Sequence, residues 1–229
     1  MKNASTLPAT RGILVDRRCW SVDLLENLLT LGQQEAIFRS VLDTAQIEPG
    51  ERLLDVGCGT GKLALMAARR ITAAAGGEVH GLDATAGMIE RARRRTGNAL
   101  TNIQFHLGVA ERLPFADHDF DIVTSTLLFH HLPDDLQHEA LREVARVLRP
   151  GGRLVLADYA QPHGVWGYVA SLPHRFNFYE YVRPQLHGSL ERLLRKYLTS
   201  VDVAHRFLGY ITVFKAMQIP AEASISTRC

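Results

Sequence analysis

The stretch Leu53-Leu54-Asp55-Val56-Gly57-Cys58-Gly59-Thr60-Gly61 restricts the fold more than any other part of the chain. Residues 52–56 form a short apolar run ending in glycines, the pattern of a buried strand that enters a loop. Helical periodicity resumes over residues 63–71, so the glycines must turn the chain from strand to helix within a few residues. Glycine permits positive φ and lets a ligand touch the backbone, and the helix start behind the turn offers unpaired N–H groups. After Gly76-Gly77 a second apolar run covers residues 79–82. Strand, helix and strand within about thirty residues are the βαβ signature.

The alternation continues down the chain. A helix is expected over residues 86–94, strands over 103–107 and 120–125, a helix opened by Pro133 and ended by Arg149-Pro150-Gly151-Gly152, and a fifth strand over 153–157. In the helix after Pro133, Asp134 and Asp135 suit the positive end of the dipole, and Leu136, Ala140, Leu141, Val144 and Leu148 make one apolar stripe. Strands alternating with helices at this rhythm imply a mostly parallel, doubly wound α/β sheet. Residues 161–184 are rich in aromatics, histidine and proline without a clear period, and read as an irregular cover. A helix around Leu190, Leu193, Leu194 and Leu198 follows, and then two β-rich runs, 201–207 and 210–214, that read as an antiparallel hairpin closing near Gly209. Ahead of the first strand, apolar residues from Val22 to Leu42 recur at helical spacing with a break at Gly32.

Composition bounds the partners. With 229 residues, 46% apolar and 22% charged, one folded domain is expected, divided into an N-terminal helical part (1–47), a core (48–160) and a cover with a closing hairpin (161–229). A formal charge of +2 from 26 basic and 24 acidic side chains demands neither nucleic acid nor an anionic surface. The cysteines Cys19, Cys58 and Cys229 lack metal or disulfide spacing, so no metal site is expected and a reducing cytoplasm fits. No apolar run reaches the length of a membrane span, and no leader peptide is apparent.

The glycine turn departs from two common nucleotide loops. A dinucleotide fingerprint needs a third glycine at position 62, where Lys62 stands. A triphosphate loop needs a glycine five residues before Gly61 and a hydroxyl residue after Lys62, and both are missing. Asp83 ends the second strand about twenty residues beyond the turn, where an acidic group in such sheets accepts hydrogen bonds from ribose hydroxyls. The competing reading makes Asp83 a cap for the helix that starts near Thr85; together with the glycine turn, the adenosine reading is preferred.

Five segments in this order resemble class I S-adenosylmethionine-dependent methyltransferases, covering residues 51–158. They are the glycine turn; Val79-His80-Gly81-Leu82-Asp83; Gly108-Val109-Ala110-Glu111-Arg112-Leu113-Pro114-Phe115; the strand at Phe120 to Thr126; and Leu148-Arg149-Pro150-Gly151-Gly152-Arg153-Leu154. The resemblance implies a Rossmann-like sheet and S-adenosylmethionine as cofactor. By position it implies cofactor contacts from Asp55, Gly57, Cys58, Gly59, Gly61, Asp83, Ala84, Met88, Val109, Ala110, Glu111, Thr126 and Leu127. Many relatives carry Asp where this chain has Val109, which cannot accept a bond from the adenine amino group. The stretch Ala110 to Phe115 and the approach to the fifth strand are similar to ubiquinone and menaquinone C-methyltransferases and related small-molecule enzymes.

Methyl transfer from a sulfonium is an in-line displacement, so alignment of donor and acceptor supplies most of the catalysis, and a base is needed only if the acceptor loses a proton. His131 is the first candidate base and His130 the second, because both follow the fourth strand at the carboxyl edge; helix entry would explain them equally well. Cys58 reads as a core thiol. The run Glu90 to Arg95 reads as a solvated helix face, and position 125–128 holds Ser-Thr-Leu-Leu in place of the Asn/Asp-Pro-Pro-aromatic motif of base-methylating enzymes. No cysteine follows a proline, as a cytosine C5 enzyme would need. These features argue against nucleic acid and for a small apolar or aromatic acceptor, with a non-catalytic S-adenosylmethionine-binding module as the alternative. Residues 21–45 and 161–187, the latter carrying Trp166, Tyr168, Phe176, Phe178, Tyr179 and Tyr181 besides His163 and His174, are expected to form a lid over the acceptor.

Overall fold

The computed structural model describes residues 10–12, 30, 32–71, 73–97, 100–176 and 182–218, with the side chains of 73, 173–176, 182 and 183 left aside. A seven-stranded sheet runs through the chain: β1 (Arg52–Val56), β2 (Glu78–Asp83), β3 (Ile103–Leu107), β4 (Phe120–Thr126), β5 (Leu148–Tyr159), β6 (Thr199–Phe207) and β7 (Ile211–Met217), in the order β3-β2-β1-β4-β5-β7-β6. The first five strands are parallel, and β7 lies antiparallel to both β5 and β6. The expected doubly wound sheet and the closing hairpin are therefore both present.

Helices cover both faces. We label them α1 (Gln34–Ala45), α2 (Lys62–Ala68), α3 (Ala86–Thr96), α4 (Asp134–Val147), α5 (Gly164–Phe176), α6 (Val182–Gln185) and α7 (Ser189–Tyr197). Alternate residues of each strand feed opposite cores, as the two-residue strand period requires. Leu53, Val155 and Ala157 pack with α1, α2 and α3, whereas Leu54, Val56, Leu154 and Leu156 pack with α4 and α7. A strand buried on both sides reads as a continuous apolar run, which is why β1 and β5 were visible without alternation.

Two boundaries differ from the sequence reading. The helix from Pro133 stops at Val147, and Leu148 is already extended (φ −70°, ψ 136°), pairing with Phe120 before a register shift in β4. Pro150 explains this, since it disfavours helical φ/ψ at Arg149 and forces the chain out early. Residues 161–184 are largely helical where they are described: after three irregular residues α5 occupies 164–176, and α6 begins at Val182. In α5 the buried face is made of Gly167 and Ser171, while Val165 and Trp166 stand outside. Gly167 lies against the backbone of Gly209 in the hairpin turn, where a Cβ would come within 2.7 Å of the Gly209 carbonyl oxygen. A helix with small residues inward has no large-apolar stripe for periodicity to detect. Of the expected lid, residues 21–29 and 31, the side chains of His174 and Phe176, and Phe178, Tyr179 and Tyr181 lie outside the described residues.

Candidate functional site

β1 has β2 on one side and β4 on the other, so the chain winds away in two directions from this strand. Crevices at the carboxyl ends of strands open at such a switch point. The glycine turn Gly57–Gly61 sits there, held by Gly57 and Cys58 N–H groups that donate to the Leu82 carbonyl at 2.8 and 3.0 Å. Asp83 ties the same turn to the next helix: the Gly59 N–H donates to its Oδ2 at 2.9 Å and the Thr85 N–H to its Oδ1 at 2.8 Å. Capping and lining are thus compatible roles for Asp83, because it also faces the adjoining cavity. Burial raises its pKa, against the lowering effect of those two amides.

Two cavities meet at Gly57 and Gly59. The larger encloses about 740 Å³ of space open to solvent and is bordered by Asp83, Ala84, Met88, Val109, Ala110, Glu111, Thr126, Leu127 and His131. The smaller is bordered by Asp55, Cys58, Lys62, Gln34, Phe38, Thr126 and Leu127. Twelve of the thirteen positions expected from the resemblance therefore border one cavity or the other. Gly61 does not: a Cβ there would come within 2.8 Å of the Ala92 Cβ and 2.9 Å of the Phe105 ring, so this glycine serves packing beneath the turn. Gly59 (φ 52°) is the opposite case, since a Cβ added there would meet nothing within 4 Å among the described residues. That open space beside a half-buried backbone is what a ligand lying on the turn needs.

Asp55 is buried, and its Oδ1 accepts the Thr124 hydroxyl at 3.0 Å. Burial pushes its pKa up to about 7, with the hydrogen bond opposing and the Asp83 charge adding to the rise. Two carboxylates thus flank the turn in an environment that penalises their charge, an arrangement that favours a cationic or hydroxyl-bearing guest. Cys58 is buried as expected, and burial together with Asp55 and Asp83 pushes its thiol well above the usual range, which disfavours a thiolate. Leu127 follows β4 with φ 55°, an uncommon conformation for a branched residue, and its N–H donates to the Ala157 carbonyl at 2.8 Å.

The two histidines separate. His131 borders the larger cavity, and burial, with the His130 ring beside it, pushes its pKa down to about 2. Such a neutral imidazole is a poor proton acceptor at neutral pH. His130 is buried behind it, with its Nδ1 2.8 Å from Asp158 Oδ1, while the Phe129 and Tyr159 N–H groups both donate to the same carboxylate at 2.7 Å. Asp158, unnoticed in the sequence, is therefore the clasp that fixes the turn after β4 against the end of β5. Its only sequence signal is an acidic residue at the end of an apolar strand.

Other contributors were also missed. Thr10 and Gly12 border the larger cavity, with Arg11 ion-paired to Asp135. From α1, Gln34 accepts a hydrogen bond from Lys62 Nζ at 3.0 Å. The loop at 110–115 is tied to α4, where Glu143 accepts the Leu113 N–H at 2.8 Å and Arg146 donates to the Leu113 and Phe115 carbonyls. Trp166 and Tyr168 do not border the cavities at the glycine turn. Tyr168 borders a separate one with His163 and Arg206 on the hairpin side, and Trp166 is 83% exposed.

Comparison with known proteins agrees with this geometry. Residues 53–152 match the model of a methyltransferase domain family. The chain is similar to a demethylmenaquinone methyltransferase of Staphylococcus epidermidis, 36% identical over 140 residues, which are 61% of this chain and 56% of that protein. A demethylmenaquinone methyltransferase of Deinococcus radiodurans is 36% identical over 165 residues, 72% of this chain and 64% of the relative. The chain thus spans little more than half of the first relative's length. In fold it is similar to an S-adenosylmethionine-dependent methyltransferase from Aquifex aeolicus, with a TM-score of 0.61 and 20% identity over 80% of this chain and 89% of that one. Residues 53–152 thus match a methyltransferase domain, and the strand order and glycine turn agree with the fold of an S-adenosylmethionine-dependent methyltransferase.

Proposed function

We propose that this protein transfers the methyl group of S-adenosylmethionine to a small apolar or aromatic acceptor, a ring of the quinone type as in the demethylmenaquinone methyltransferases it resembles. The observation that carries the reading is the open glycine turn at Gly59, flanked by Asp83 on one side and Asp55 on the other. The donor set fits the cofactor. Asp83 would accept the ribose hydroxyls, Met88, Val109 and Ala110 would enclose the adenine, and Asp55, Lys62, Gln34 and Thr126 would hold the amino-acid end. When bound, the cofactor supplies an electrophilic methyl on a sulfonium. The remaining work is positional: Leu127 and the turn after β4 set the height of the acceptor, and the Asp158 clasp keeps that turn fixed.

Neither histidine stands ready as a base. His131 reaches the cavity but resists protonation, and His130 is oriented by Asp158 but lies behind it. An acceptor that already carries its electron pair, or an acidic hydroquinone, suits such a site. The lid expected from residues 21–45 and 161–187 stays part of this proposal; Thr10 and Gly12, ahead of the first of these segments, border the larger cavity.

The test combines binding with turnover. S-adenosylhomocysteine at a hundredfold excess over Kd should stabilise the protein by about 2.7 kcal/mol, and NADH should not. With 1,4-naphthohydroquinone as acceptor, a methylated product should appear by mass spectrometry, and both ligands together should slow proteolysis within residues 161–187. Binding without any methylated product, across a panel of phenols and quinols, would favour the non-catalytic module.

A further inference from the structure

The cavity on the hairpin side encloses about 700 Å³ of space open to solvent and shares no bordering residue with the two at the glycine turn. Its walls are the segment after β5, the first turn of α7 and one face of the β6–β7 hairpin. Residues two apart on a strand share a face, and so do residues opposite one another on paired strands. Thr212 and Phe214 of β7 border the cavity, whereas Ile211 and Val213 point into the core cluster beneath α1 and α2. Thr212 pairs with Arg206 of β6 on one side and with Asp158 of β5 on the other. Asp158, Thr212 and Arg206 therefore make one row across three strands. The cavity lies over the Thr212 and Arg206 part of the row, and the clasp on the Phe129–His131 turn is at the Asp158 end.

This cavity carries polar groups that the fold does not use. Thr212 is only 2% exposed, yet its hydroxyl makes no hydrogen bond among the described residues. A buried hydroxyl left unpaired is destabilising, so a partner supplied from outside would be gained at full value. The Arg206 guanidinium and the His163 ring border the same space and are likewise without a hydrogen bond or ion pair among the described residues. Glu191 is the acidic residue of the border, and Arg195 Nη2 holds it at 2.8 Å. Arg206 is thus the unbalanced charge of the cavity, with the Phe214 ring beside it as apolar surface.

We propose that this cavity is a second ligand site, and that it takes a small organic monocarboxylate with an apolar body. The planar fork of Arg206 can give two parallel hydrogen bonds to a carboxylate, and the Thr212 hydroxyl can donate to one of the same oxygens. The apolar body then lies on Phe214. One unbalanced positive charge matches one carboxylate, and the Glu191 carboxylate on the border opposes a doubly charged phosphate. This site stands apart from the cofactor and acceptor sites, and neither reading depends on the other.

The experiment titrates benzoate, benzamide and inorganic phosphate into the full chain by calorimetry, with and without saturating S-adenosylhomocysteine. Wild type should bind benzoate about tenfold tighter than benzamide, the advantage of charge-assisted hydrogen bonds over neutral ones. Saturation with S-adenosylhomocysteine should leave that affinity unchanged. Arg206→Gln, a change at an exposed position, should erase the preference, and Arg206→Lys should restore only part of it because the fork is lost. Thr212→Val should weaken benzoate by about fivefold and melt at the same or a higher temperature, since it removes an unpaired hydroxyl. Absence of benzoate binding at millimolar concentration, equal binding of benzoate and benzamide, or a preference that survives Arg206→Gln would overturn the proposal. Competition by S-adenosylhomocysteine would also overturn it, because benzoate would then sit at the glycine turn. Phosphate binding tighter than benzoate would overturn the carboxylate assignment, and a Thr212→Val protein that melts several degrees lower would show that the hydroxyl is bonded within the fold and remove it from the site.

Discussion

Asp55→Asn isolates the energetic burden at the glycine turn. The substitution keeps an oxygen that can accept the Thr124 hydroxyl, now at 3.0 Å from Oδ1, and removes only the charge. In the native state burial raises the Asp55 pKa from the ordinary 3.8 to about 7, so between those values the folded protein holds a proton that the unfolded chain has lost. Stability from this group is therefore present in full below about pH 4 and is lost as pH rises towards 7. At 1.36 kcal/mol for each tenfold in proton affinity, the loss amounts to about 4 kcal/mol. Urea unfolding of wild type and variant across pH 4.5 to 8 gives the difference directly, with other titrating groups cancelling. The variant should gain on wild type as pH rises and be the more stable protein at pH 8. S-adenosylmethionine should show the converse. A cation near Asp55 favours its ionised form, so wild-type affinity should rise between pH 5 and 7, and the variant should bind more weakly without that dependence. A variant less stable than wild type at pH 8, or a difference that does not change with pH, would refute the argument that a penalised charge lies under the turn.

Two further perturbations test the geometry. Gly59→Ala places a methyl group in open space at φ 52° and should cost only about 1–2 kcal/mol in unfolding experiments while sharply weakening S-adenosylhomocysteine binding, whereas Gly61→Ala drives a methyl group into Ala92 and Phe105 and should cost about 1–3 kcal/mol more. Equal stability of the two would contradict the assignment of Gly61 to packing. Asp158→Asn leaves one oxygen for the Phe129, Tyr159 and His130 donors and should lower stability by about 1–3 kcal/mol, raise the acceptor KM and spare cofactor affinity. An unchanged melting temperature would show that the carboxylate is not the clasp.

The features legible in the chain alone are local in origin. The strand, glycine turn and helix at residues 52–68 follow from backbone rules acting over a few residues, and so does the hairpin after α7. The position of Asp83 beside the turn followed from the length of one βαβ unit. Packing settled whatever depends on neighbours distant in sequence. Gly61 and Gly59 look alike in the motif, but only the arrival of Ala92 and Phe105 beneath Gly61 gives the two different tasks. His130 and His131 are adjacent in sequence, yet Asp158 claims one and the cavity the other, because β4 and β5 pair side by side. The pKa of Asp55 depends on its burial between β2 and β4. Periodicity and turn chemistry record contacts within one or two turns of chain; desolvation and hydrogen-bond pairing across the sheet have no such signature until strand order brings the partners together.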